Sequence, residues 1–456
     1  MTLIAVPEHG LLLRGPEGQA SGVDDRGRAL LSPRHFAALR RLDDRRGQGD
    51  LGAFDWTSDA ARARQWVGVL QLPGLSVEIL PKIERAGQPQ PPHFARRNLL
   101  HMLAMAGDVP LRERDLAALA TSRAPLSECL IAVFARRLLA ELLAGLDRSY
   151  TTRRQNAPVL RGKLLFNPHV RLNAAHRERF FVERDELTED TALNRALKAA
   201  CRALLGATAD AAAEESLRHC LLILGGVSDT PVSGQDLARI ALTRRSARFA
   251  PLLDLCRLIL SGQAPTPSAG PSRSFSLLFD MNVVFERYIG AVIQRHVMGD
   301  FPWHTAHVHA RHHWRYLLES RGDRDPRGIL RLEPDLLICR RGQGQEQVAT
   351  IDTKWKLLDQ RGGRRGASRE DLYQLYAYAQ RYGCPHNVLL YPRVPEAREE
   401  DFVIPAEQAG GQERTICVRF VDLSRDLRAE RRALQDELTS TLAPLLAAAD
   451  PRPVEI

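Results

Sequence analysis

Leu332-Glu333-Pro334-Asp335-Leu336-Leu337-Ile338 and Ala349-Thr350-Ile351-Asp352-Thr353-Lys354-Trp355-Lys356 are two apolar runs separated by Gly342-Gln343-Gly344-Gln345. Each run has the composition of a strand, and the glycine-bearing break is turn chemistry, so together they predict a β-hairpin. Such a hairpin brings Asp335 and Asp352 side by side. Side chains alternate along a strand with period two, so Lys354 points to the same face as Asp352. Two carboxylates can bind a hard cation such as Mg²⁺. A lysine beside them can position water or offset charge on a phosphoryl oxygen. The layout suits metal-dependent phosphodiester hydrolysis. The plainer alternative is two edge-strand aspartates and a solvated lysine. Asp and Lys are depleted in strands, which counts against that alternative without removing it.

Working outward, Leu277-Leu278-Phe279-Asp280-Met281-Asn282-Val283-Val284-Phe285-Glu286 lies upstream and is expected to open a helix running to about Val297. Met281, Val284, Phe285, Tyr288 and Val292 would form its buried stripe, with Glu286 at the edge. Downstream, Asp371-Leu372-Tyr373-Gln374-Leu375-Tyr376-Ala377-Tyr378-Ala379 predicts another helix. Spacings of three and four put Asp371, Gln374 and Tyr378 on one face. Leu372, Leu375, Tyr376 and Ala379 are expected to point mainly inward.

Pro334-Asp335 followed by Asp352-Thr353-Lys354 resembles the PD-(D/E)XK nuclease signature. With the flanking glutamate helix and the Gln374-x-x-x-Tyr378 helix, the stretch resembles the McrC family, the nuclease subunit of the 5-methylcytosine restriction system. Two further segments carry the likeness: Gly68 to Lys82, with Glu78-Ile79-Leu80-Pro81-Lys82, and Asn194-Arg195-Ala196-Leu197-Lys198. The resemblance implies a restriction-endonuclease-like domain, a mixed sheet flanked by helices. It implies Mg²⁺ (or Mn²⁺) on Asp335, Asp352 and the Thr353 carbonyl, with Lys354, Glu286 and Gln374 completing a catalytic set. It also implies DNA as substrate and an McrB-like AAA+ GTPase as partner, stimulated by this chain. The sequence has no G-x-x-x-x-G-K-[ST] loop, so the nucleotide motor would be a separate subunit.

Composition is that of an ordinary globular protein, 456 residues, 44% hydrophobic and 26% charged, and its strands flanked by helices make the expected class α/β. That length suggests two to four domains. A net charge of +9 suits a nucleic-acid partner. Seven cysteines without C-x-x-C spacing are expected to be reduced and mostly buried, as in a cytoplasmic protein. The opening Met1-Thr2-Leu3-Ile4-Ala5-Val6-Pro7 has no signal-peptide pattern. No apolar run reaches the ~20 residues that span a membrane.

Three regions follow from the order of signals. Residues 1–88 are mixed β, with strands around Pro73-Gly74, and are the candidate region for docking the motor. Residues 89–262 are expected to be mainly helical, as in the amphipathic run Leu126 to Leu146. Within them Tyr150 to Lys163 is irregular and basic, and Glu189-Asp190-Thr191 marks a helix start. Gly262 to Ser272 is rich in Pro, Gly and Ser and reads as a linker. Residues 274–456 form the endonuclease-like domain, closing with strands Asn387–Pro392 and Cys417–Leu423 and a helix from Arg428 to Leu446.

Two more features bear on ligands. His304, His307, His309, His312 and His313 cluster, but no Cys or carboxylate completes a zinc set at usual spacing, so an exposed strand is expected there. Asp359 to Arg369 is glycine-rich and basic; Arg361, Arg364 and Arg365, with Lys356 and Tyr378, are candidate DNA contacts. Fold does not fix function. A repair or recombination nuclease, or a DNA-binding regulator of a AAA+ motor with an unused centre, are the alternatives.

Overall fold

The computed structural model describes residues 2–44, 52–85, 88–109, 124–261, 275–309, 313–320, 328–342, 346–356, 367–395, 397–408 and 411–447. It is a mixed α/β protein. The Pro73-Gly74 turn joins strands Trp66–Leu72 and Leu75–Leu80 as an antiparallel hairpin, with Gly74 at φ 79°. The order Thr2–Pro7, Leu75–Leu80, Trp66–Leu72, Phe275–Asp280 makes a four-stranded sheet. A five-stranded sheet lies beside it within the N-terminal region.

The strand Phe275–Asp280 corrects the helix expected to open at Leu277. It pairs antiparallel with Trp66–Leu72, Leu278 opposite Gly68. The helix begins at Met281, capped by the Asp280 side chain, which accepts from the Asn282 amide. A short apolar run such as Leu277-Leu278-Phe279 fits either element by periodicity, and its strand partner lies some two hundred residues away. Gly68 makes the pairing possible. Its φ is +136°, and a Cβ there would stand 2.0 Å from the Leu277 carbonyl oxygen.

The middle region is helical where expected, in Pro92–Ala106, Leu126–Leu143, Ala192–Leu205, Ala211–Ile223 and Ala250–Ser261. The Thr191 side chain caps Ala192–Leu205 by accepting from the Asn194 amide. The mainly helical expectation missed a three-stranded sheet of Ser149–Ala157, Phe180–Thr188 and Lys163–Leu164. These long strands carry charges on both faces and lie largely at the surface, so no apolar alternation announces them.

Six strands form the C-terminal sheet, in the order His304–Val308, Leu336–Arg340, Gln347–Thr353, His386–Pro392, Arg414–Val421, Glu400–Ile404. The two central pairings, to His386–Pro392 from either side, are parallel, and the others antiparallel. Side chains of alternate parity serve different layers. Ile338, Ala349 and Ile351 join the core shared with helices Met281–Val292 and Arg431–Ala447. Leu337, Leu389 and Tyr391 pack on the opposite side with Leu375 and Tyr378 of helix Arg369–Tyr382. Full burial of a side chain such as Phe285 contributes about 2–3 kcal/mol. Met281, Val284, Phe285, Tyr288 and Val292 are all buried, as the stripe predicted.

No helix among the described residues is long and apolar enough to cross a membrane. All seven cysteines are free and buried. Arg361, Arg364 and Arg365 lie outside the described residues.

Candidate active site

The hairpin forms as the two runs predicted, with Leu336 opposite Ile351 in antiparallel register. One step outward, beyond the last paired residue of the first strand, Asp335 comes level with Asp352. Its carboxylate is fixed locally: Oδ2 accepts from the Thr353 amide and the Thr353 hydroxyl, each at 2.7 Å. Asp352 is almost fully buried, and the Lys354 ammonium stands 2.5 Å from its Oδ2.

Residues from both faces converge on this pair. Glu286, from the Met281–Val292 helix, comes within hydrogen-bonding reach of the Asp335 carboxyl. The Gln374 amide donates to Asp352 Oδ1 at 3.4 Å and to the Tyr378 hydroxyl at 2.7 Å. Tyr378 is buried, and its hydroxyl donates in turn to the Glu333 carbonyl at 2.9 Å, tying the helix to the chain just before Asp335. Tyr382 does the same one turn later, to the Leu332 carbonyl at 2.8 Å. Tyr376, expected to point inward, is 40% exposed. Lys356 lies farther out and pairs with Asp371 at 3.1 Å, where the Tyr391 hydroxyl also donates, at 2.8 Å.

Electrostatics follow from this crowding. Burial raises the Asp335 carboxyl to about 6, reinforced by the charge of Glu286 and opposed by the Thr353 hydrogen bonds. Asp352 is raised to about 7 by burial and by Asp335, against the pull of Lys354. Glu286 is raised by burial, with its hydrogen bond to Asp335 acting the other way. Burial alone would lower Lys354, but the Asp352 carboxylate outweighs it and holds the ammonium charged. Three acids thus share one lysine, a set short of positive charge.

The donor set fits a hard divalent cation. It is built of buried, crowded carboxylate oxygens from Asp335 and Asp352, with Glu286 beside them and only the Lys354 ammonium against Asp352 Oδ2 to offset their charge among the described residues. Asp335, Asp352 and the Thr353 carbonyl are the residues that would hold it.

Two neighbours were not legible beforehand. His309 does not continue an exposed strand; the strand ends at Val308, and His309 turns away at φ 45°. Its amide donates to the Asp335 carbonyl at 3.1 Å, and its ring lies 3.0 Å from Glu286. Glu8, just after the first strand of the chain, accepts at Oε1 from the Trp355 indole at 2.7 Å and the Lys82 amide at 2.8 Å. Trp355 follows Lys354 and packs on Phe285, the neighbour of Glu286, with ring centroids 5.3 Å apart. The Gly68–Lys82 segment is therefore structural at this point: it seats the N-terminal sheet against the segment that follows strand Gln347–Thr353 and carries Lys354 and Trp355. Glu78 within it pairs with Arg96 at 2.6 Å and accepts from the Leu126 amide, clamping two helices.

A mixed α/β protein that gathers three acids and a lysine at the end of adjacent strands is the class these observations define. The model of the McrBC 5-methylcytosine restriction system component family matches residues 61–392, and the chain belongs to that family. Among solved structures, it is similar to a chain of a refined half-complex from a tetradecameric assembly of Thermococcus gammatolerans McrB AAA+ hexamers with bound McrC. That match has 20% identity and a TM-score of 0.60 and covers 95% of this chain and 100% of that one. The cryo-EM structure of the Thermococcus gammatolerans McrBC complex matches at 24% identity and a TM-score of 0.49, over 64% of this chain and 88% of that chain. At such identities the first likeness bears on the fold alone. No curated protein matches.

Proposed function

We propose that this chain is the Mg²⁺-dependent DNA endonuclease subunit of a 5-methylcytosine-directed restriction system, acting in the cytoplasm with an McrB-like AAA+ GTPase that it stimulates. Residues 274–456 would be its PD-(D/E)XK domain. The observation that carries this is the convergence of Asp335, Asp352 and Lys354 on one end of the hairpin, with Glu286 and Gln374 closing in from opposite faces of the sheet.

Each residue has a chemical task. Lys354, kept charged by Asp352, orients the attacking water and offsets the charge that develops on the phosphoryl oxygens. Asp335, locked by Thr353, and Asp352, steadied by Gln374, present oxygens in a fixed geometry, so little reorganisation accompanies the reaction. Tyr378 positions Gln374 and the Glu333–Asp335 segment from inside the protein. Mg²⁺ or Mn²⁺, when bound, supplies Lewis-acid polarisation of a phosphoryl oxygen. Lys356 and the arginines at 361, 364 and 365 would meet the DNA backbone beside the centre.

The motor needs a docking surface. Residues 1–88 remain a candidate, but exposed apolar side chains are denser on the 149–188 module. Tyr150 and Phe166 there are 74% and 71% exposed, with Val159, Val170 and Leu172 also above half. Exposed apolar groups mark an interaction surface when they form one contiguous patch, which makes this module a second candidate.

Cleavage of methylated and unmethylated plasmid tests the reading, with the purified chain alone and with the adjacent-gene AAA+ protein, under each nucleotide. Cutting that requires methylation and GTP supports it. Cutting indifferent to both points to a repair nuclease. Faster GTP hydrolysis by the partner without cutting points to a regulator.

A further inference from the structure

We propose a second metal site, for a borderline-soft divalent ion of the Zn²⁺ type, formed by His307, His313 and Cys339. One ligand atom from each lies within 4.8 Å of the others. The spacing in sequence hides the set. His307 sits on the His304–Val308 strand, and Cys339 on the neighbouring Leu336–Arg340 strand, which pairs with it antiparallel. Strand pairing supplies the thiol that the histidine cluster alone lacks. His313 follows on the connection to the next strand, its ring centroid 5.4 Å from that of His307.

Donor chemistry selects the ion. Two imidazoles and a thiol reject Mg²⁺ and Ca²⁺, which take oxygen, and suit Zn²⁺. A tetrahedral zinc shell places ligand atoms about 3.5 Å apart, so a small inward movement of the half-buried His313 closes the set. His307 is already held by a neighbour on its own strand. Its Nε2 lies 3.2 Å from the Thr305 hydroxyl, which also reaches the Cys339 carbonyl at 3.4 Å. With Nδ1 as the ligand, Thr305 is an outer partner that fixes the ring. Cys339 is fully buried, and burial holds its thiol up at about 11, so it stays protonated until a cation draws off the proton. The two histidines half-bury their rings, leaving the fourth position to water.

The site brackets His309, whose amide and ring touch Asp335 and Glu286. A bound ion would pin this turn against the carboxylates, as a structural clip. Its binding does not depend on what those carboxylates do.

Cobalt substitution of the full chain tests this directly, because only a thiolate ligand gives the near-ultraviolet sulfur-to-Co²⁺ charge-transfer band. The band is expected in the wild type and in Asp352→Ala, and Zn²⁺ should displace it. Cys339→Ser and His313→Ala should each lose it; the histidine variant decides if the buried serine impairs folding. No band in the wild type, or a band that survives both substitutions, overturns the site.

Discussion

Replacing Glu8 by glutamine should remove a pH-dependent destabilisation that the wild type carries. The Glu8 carboxyl is 2% exposed, and its Oε2 has no hydrogen-bond partner among the described residues. Burial raises it from 4.5 to about 7, against the hydrogen bonds from Lys82 and Trp355. For an acid raised on folding, the stabilising contribution is complete below the unfolded value of 4.5 and is lost as pH rises to about 7. At about 1.36 kcal/mol for each pH unit of displacement, the full swing is about 3 kcal/mol, of which about 2.5 falls between pH 5 and pH 8. Both hydrogen bonds use Oε1, which glutamine keeps, and the variant has no charge to lose. Urea unfolding of both proteins, followed by tryptophan fluorescence at pH 5 and pH 8, measures the effect. The variant should gain about 2.5 kcal/mol relative to the wild type between the two pH values. A difference that stays constant across that range would refute the buried, ionising Glu8 at the junction.

Three other expectations concern the scaffold and the DNA. Gly68→Ala should destabilise by on the order of 3 kcal/mol, because a Cβ meets the Leu277 carbonyl and φ is positive; thermal unfolding reads it, and a neutral result would contradict the strand pairing. Arg96→Ala leaves Glu78 buried without its partner and should cost about 3–5 kcal/mol in chemical denaturation. An unchanged midpoint would mean the ion pair does not hold the helices. Changing Arg364 and Arg365 to alanine should weaken DNA binding and flatten its salt dependence by about two contacts; an unaltered slope in fluorescence anisotropy would leave that loop without a DNA role.

Legibility in the sequence tracked the range of the interactions. Asp335, Asp352 and Lys354 could be placed together because a turn and a two-residue period are local properties. Gln374 and Tyr378 followed from helical spacing in the same way. Phe275–Asp280 was misread because its partner strand is far away in the chain and its short apolar run fits two elements. His309 approaches Glu286 only because the chain turns at a positive φ just after a strand, which no residue pattern signals. Cys339 joined the histidines only through strand register. Glu8 was invisible for the same reason: its contact to Trp355 spans 347 residues.

The most direct measurement is Mg²⁺-dependent cleavage of 5-methylcytosine plasmid by the chain reconstituted with the proposed AAA+ partner and GTP, comparing wild type with Asp352→Ala. If Asp352 is a metal ligand as proposed, its loss removes several kcal/mol of transition-state stabilisation, so cleavage should fall by at least about a hundredfold. DNA binding and partner GTP hydrolysis should stay near the wild-type level. Undiminished cleavage by the folded variant would contradict the assignment of the hairpin as the catalytic centre.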